Sequence, residues 1–94
     1  MPTLHLIHSP RSEGDTLGRC ADVARGGDAI VFYGRGVFAA AGVLPPLPNV
    51  ALFVIAADAL ELHVTPRLPE RVSIIDDARF VELVVEYPRS IAWA

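Results

Sequence analysis

Lysine is absent. All eight basic residues are Arg, and the 11 Asp and Glu leave a formal net charge of −3. Without lysine the chain can form no Schiff base, and no phosphate loop ending in Lys-Ser/Thr is possible. The arginines run from Arg11 to Arg89 without clustering, so no basic field draws nucleic acid and direct RNA binding is not expected. Cysteine is scarce as well: Cys20 stands alone, which excludes an internal disulfide and agrees with a reducing compartment. The longest apolar runs, Val37 to Leu44 and Val50 to Ala57, are 8 residues each, far short of the ~20 that span a bilayer. The opening Met1-Pro2-Thr3 carries no basic region, and His5 and His8 interrupt the first apolar stretch. No signal peptide is visible, and the cytoplasm is the expected compartment.

What is present is apolar. Of the 94 residues 52% are hydrophobic, and the mean hydropathy is +0.41. One domain, residues 1–94, accounts for the whole length. A domain this small leaves ~40% of its unfolded-state surface in water, so a composition this apolar predicts a buried partner interface. Parts of Val37 to Leu47 and the aromatic-rich C-terminal helix are the expected contributors.

Apolar segments alternate between two periods, with Gly and Pro between them. Thr3 to His8 is a short apolar strand closed by Ser9-Pro10. From Asp15 to Arg25, Leu17, Cys20, Ala21 and Ala24 recur at one helical face, and Gly26-Gly27 follow as a stop. Ala29 to Tyr33 and Val50 to Ile55 read as strands buried on both faces. A short helical piece, Val37 to about Ala41, lies between them, and another, Ala57 to Leu62, follows. Val72 to Ile75 is a fourth strand. An amphipathic helix then runs to about Glu86, with Asp76 or Asp77 at its cap and Phe80, Leu83, Val84 and Tyr87 on one face. Pro88 ends it before a short last strand, Ser90 to Trp93. The alternation predicts an α/β fold: a three-layer α/β/α sandwich on a mainly parallel sheet of about five strands.

Four constellations bear on chemistry. Gly34-Arg35-Gly36-Val37-Phe38-Ala39 satisfies G-x-G-x-x-[GA] after a strand, with Asp58 about 20 residues on, as in a dinucleotide fingerprint. Against that reading, the helix that follows is barely two turns long and no second mononucleotide half exists, so a turn that needs glycine explains the motif more simply. Cys20 is the candidate sulfur acceptor, with Arg19 beside it to lower its pKa. Its spacing with Leu17 and Ala24 turns it towards a core instead. His5 and His8, three apart on a strand, point to opposite faces, and His63 is remote, so each reads as a lone polar residue and no metal site is expected. Asp76-Asp77 fit a helix cap better than paired catalytic carboxylates. Two alternatives stay open: a small nucleotide-binding module using Gly34, Gly36 and Asp58, and a stand-alone thiol enzyme using Cys20.

The ordered set Thr3-Leu4-His5, Ser9-Pro10, Gly27-Asp28 and Phe32-Tyr33-Gly34-Arg35-Gly36-Val37-Phe38-Ala39-Ala40 resembles the TusB/DsrH family of sulfur-relay proteins. Ile75-Asp76-Asp77-Ala78-Arg79-Phe80-Val81-Glu82-Leu83 and the closing Ala92-Trp93 extend the resemblance over the whole chain. Arg35 stands where family members usually carry an acidic residue, and Cys20 falls where DsrH-type members carry a cysteine. The resemblance implies a non-catalytic or accessory subunit of a heterohexameric sulfurtransferase complex with two copies of each of three homologous chains. Its partners would be TusC/DsrF-like and TusD/DsrE-like subunits, with the sulfur-carrying cysteine on the latter. A TusE/DsrC-like protein would accept the sulfur, for 2-thiolation of the tRNA wobble uridine or within dissimilatory sulfur oxidation. It implies no cofactor.

Overall fold

The computed structural model describes residues 1–93; Ala94, the last residue of the expected domain, lies outside the described residues. Five strands form one parallel sheet: β1 (Thr3–Ile7), β2 (Ala29–Phe32), β3 (Ala51–Ile55), β4 (Val72–Ile75) and β5 (Arg89–Trp93), in the order β4-β3-β2-β1-β5. Four helices connect them: α1 (Thr16–Val23), α2 (Val37–Ala41), α3 (Ala56–Glu61) and α4 (Asp77–Glu86). The expected α/β fold and each expected strand and helix are present.

The topology decides which face each helix covers. From β1 to β4 the chain moves one way along the sheet, so right-handed crossovers place α1, α2 and α3 on one face. From β4 it returns across the sheet to β5, and the same rule puts α4 on the other. The cores agree. Ile7, Ile30, Phe32, Leu52 and Val54 pack with Leu17, Cys20, Val37, Ala40 and Ala59 from the first three helices. Leu4, Ala29, Val31, Ile55 and Ile75 pack with Leu83, with Phe80 and Tyr87 partly buried beside them.

These two faces correct one expectation. β2 is buried throughout, as its continuous apolar run predicts, whereas β3 has Ala51 exposed and Phe53 half-buried. One ten-residue helix cannot roof five strands, so on the side of α4 only Ile55 of β3 is sealed. Within the segment Val37 to Leu47, Val37, Ala39, Ala40 and Leu47 lie inside this chain's own core. Phe38 and Val43 are what that segment turns outwards. No described helix is long and apolar enough to cross a membrane.

Candidate functional site

Sulfur transfer requires a thiolate, so Cys20 comes first. Asp15 caps α1, accepting from the Gly18 N–H at 3.2 Å, while the Arg11 guanidinium holds the Asp15 carboxylate at 2.6 Å. That start fixes the helical phase. Leu17 and Cys20, three residues apart, both turn to the sheet and are 0% exposed. Burial, and then the negative charge of Asp28, push the thiol up to about 12. Arg19, adjacent in sequence, reaches back along the helix to the Gly14 carbonyl and the Thr16 hydroxyl, each at 3.3 Å. A depression of about 470 Å³ outside α1, lined by Arg11, Asp15, Arg19, Asp22 and Pro45 among others, does not include Cys20.

A polar cluster that no local sequence period connects lies buried beside this core. Asp28, just before β2, accepts from the Thr3 N–H at 2.9 Å, the Arg25 N–H at 3.0 Å and His5 Nε2 at 3.0 Å. The Trp93 indole N–H donates to His5 Nδ1 at 3.0 Å. An indole N–H can only donate, so Nδ1 is the acceptor and the ring proton sits on Nε2, facing Asp28. Both ring nitrogens of His5 are thus satisfied. Burial pushes the Asp28 carboxyl up, but the bonds from His5, Arg25 and Thr3 outweigh it and hold the group below its ordinary range.

The pair has the composition of a catalytic carboxylate and histidine, but the nitrogen that would act as a base is capped by Trp93. Among the described residues no hydroxyl or thiol is hydrogen-bonded to the pair, and what it does is tie β1, β2, the segment after α1 and β5 together. His5 was expected to be a lone polar residue; it is the hub of this cluster. The available signals were its parity with Ile7 on β1 and the position of Asp28 at the mouth of β2.

The G-x-G turn after β2 is closed by the same residues that make it look like a nucleotide site. Gly34 takes a φ of 53°, a conformation that costs other residues strain. Its N–H donates to Asp58 Oδ2 at 2.8 Å. Gly36 lies so close to the Ile7 carbonyl and His8 that a Cβ would collide with the backbone. The space a pyrophosphate needs is occupied by β1, the acid that would hold a ribose is bonded to the turn, and α2 has only five residues. Asp76 caps α4, accepting from the Arg79 N–H at 2.8 Å. His8 stacks on Tyr33 with ring centroids 5.7 Å apart. Among the described residues no group of three His, Cys, Asp or Glu side chains is arranged to hold a metal ion.

The model of the family described as DsrH like protein matches residues 8–90. The chain is also 36% identical to Protein TusB of Pectobacterium parmentieri over 97 aligned positions, covering 96% of this chain and 99% of that protein. The chain belongs to the DsrH-like family. It is a sulfur-relay subunit of the TusB/DsrH kind. Within this DsrH-like chain the only sulfhydryl, Cys20, is sealed in the core, and the buried His5–Asp28 pair is closed at both ends.

Proposed function

We propose that this DsrH-like chain is a non-carrying subunit of a TusBCD/DsrEFH-type complex in the cytoplasm, folded as one domain, in which the moving sulfur sits on a partner's cysteine. The observation that carries the reading is Cys20: fully buried, with its thiol pushed up to about 12. In a relay step, a thiolate attacks the outer sulfur of a donor persulfide; the new S–S bond forms as the old one breaks, and the donor leaves as a thiolate. A thiol with that pKa is ionised in roughly one molecule in 10⁵ at neutral pH, and its burial denies the donor an approach.

A TusC/DsrF-like and a TusD/DsrE-like chain are the proposed partners. The sulfur passes to a TusE/DsrC-like acceptor and then towards tRNA wobble-uridine 2-thiolation or dissimilatory sulfur oxidation. Reconstituting the complex with Cys20→Ser in this subunit tests the assignment. Transfer of labelled sulfur to the acceptor should stay within about twofold of wild type. A persulfide on Cys20 in the mass spectrum, together with loss of transfer in the variant, would make Cys20 a relay station.

A further inference from the structure

Helix α4 turns a second apolar stripe to solvent. At 100° per residue Phe80, Leu83 and Tyr87 point to the sheet, which leaves Ala78, Val81 and Val85 on the opposite side. Val81 is 60% and Val85 80% exposed, and with Glu82 and Glu86 they line a groove of about 400 Å³. One flank of the stripe carries charge of both signs. Arg79 pairs with Glu82 at 3.2 Å and with Glu86 at 2.9 Å, all three side chains being largely exposed.

The order of those charges says what fits. Along α4 the flank reads plus, minus, minus. A parallel neighbour would set it against the other flank, where Asp77 and Val84 lie and no cation is available. An antiparallel copy instead meets each flank with its own reverse. A two-fold axis near Glu82 then lays Val81 over the Val85–Val84 edge of the other helix and brings Arg79 opposite Glu86 of the other copy, twice by symmetry. The two Glu82 carboxylates approach near the axis, each still paired with Arg79 of its own chain. Such an isologous contact needs a self-complementary patch, and reversal makes this one self-complementary.

We propose that the outer face of α4 is a docking surface for a second copy of this chain, formed by antiparallel α4–α4 pairing through Val81 and Val85 with reciprocal Arg79–Glu86 ion pairs. This does not depend on the sulfur-relay reading, because it concerns the chain by itself. One ten-residue helix from each copy buries area at the small end of the interface range, below ~1,200 Å², so the dimer is a weak one, dissociating at micromolar concentration.

Sedimentation equilibrium of the full chain over micromolar to sub-millimolar concentrations tests it. The wild type should move from 10.1 kDa towards twice that mass. Val85→Glu should stay monomeric throughout with an unchanged circular dichroism spectrum, since its side chain leaves no core. Arg79→Glu and Glu86→Arg should each weaken the dimer about tenfold or more, because each puts like charges face to face. Mixed in equal amounts they should dimerise again, which pairing within one chain cannot produce. Glu82→Gln should tighten the dimer. A monomeric wild type at the highest concentration, self-association or aggregation that persists in Val85→Glu, or a charge-swap mixture that stays monomeric would overturn the proposal.

Discussion

The two faces of the sheet are built from similar strands and finished differently. On one, three helices cover Ile7, Ile30, Phe32, Leu52 and Val54, and nearly every side chain there is sealed, including Cys20 and the His5–Asp28 pair. On the other, α4 alone crosses five strands and leaves Phe53, Tyr33 and Leu6 half-buried, with Val81 and Val85 outside. Parallel sheets almost always have both faces covered. The closed face therefore holds the stability and the thiol, while the open face leaves strand side chains such as Phe53 and Leu6 half-covered. That division makes the sulfur-relay reading one of architecture: the chain hides its own sulfur and keeps surface available for association.

The largest expected effect breaks the comparison at the closed face. Phe32→Ala removes a fully buried ring and should cost about 3–5 kcal/mol in urea unfolding, whereas Phe53→Ala, half-buried on the open side, should cost about half as much. Equal losses would show that the open face is as tightly packed as the closed one.

Next is Asp28→Asn, which puts an amide where three donors converge and should cost about 2–3 kcal/mol. It should also change the acid limb. Because the folded pKa of Asp28 lies below its unfolded value, the unfolded chain binds the extra proton. The wild type therefore loses this contribution as pH falls from about 3.9 through the lowered value. The Asn variant should lack that part of the slope, as stability curves at a series of acidic pH values would show.

Trp93→Phe keeps a ring on β5 but removes the donor to His5 Nδ1, for an expected loss of about 1–1.5 kcal/mol. Smallest is Asp76→Ala, which removes the exposed cap of α4 on the open side. About 0.5–1 kcal/mol should be lost, read as a lower melting temperature with the rest of the fold intact.

Much of the fold was legible in the residues because the strands and helices here follow their periods. Thr3 to Ile7, Ala29 to Phe32 and Val72 to Ile75 announce themselves by β-prone apolar runs, and Leu17 with Cys20 by helical spacing. The closure of Gly34 and Gly36 was half legible: a turn was readable, but the collision with the Ile7 backbone and the bond to Asp58 depend on which strands are neighbours. The His5–Asp28–Trp93 cluster was least legible. Its members are 23 and 88 residues apart, and no local period connects them. Only the return of the chain across the sheet, which sets β5 beside β1 in register with His5 against Ile91 and Ile7 against Trp93, brings the indole to the imidazole. The open face was misread for a related reason, since the run from Val50 to Ile55 looks the same whether one helix or three lie over the sheet.

The central claim, that this subunit keeps its thiol shut, is tested most directly by the alkylation rate of Cys20 in the native chain at neutral pH, with the urea-unfolded chain as reference. The account predicts labelling slower than in the unfolded chain by about 10² or more, because both access and ionisation are lacking. Labelling of the folded protein as fast as the unfolded reference would contradict it and return Cys20 to the relay.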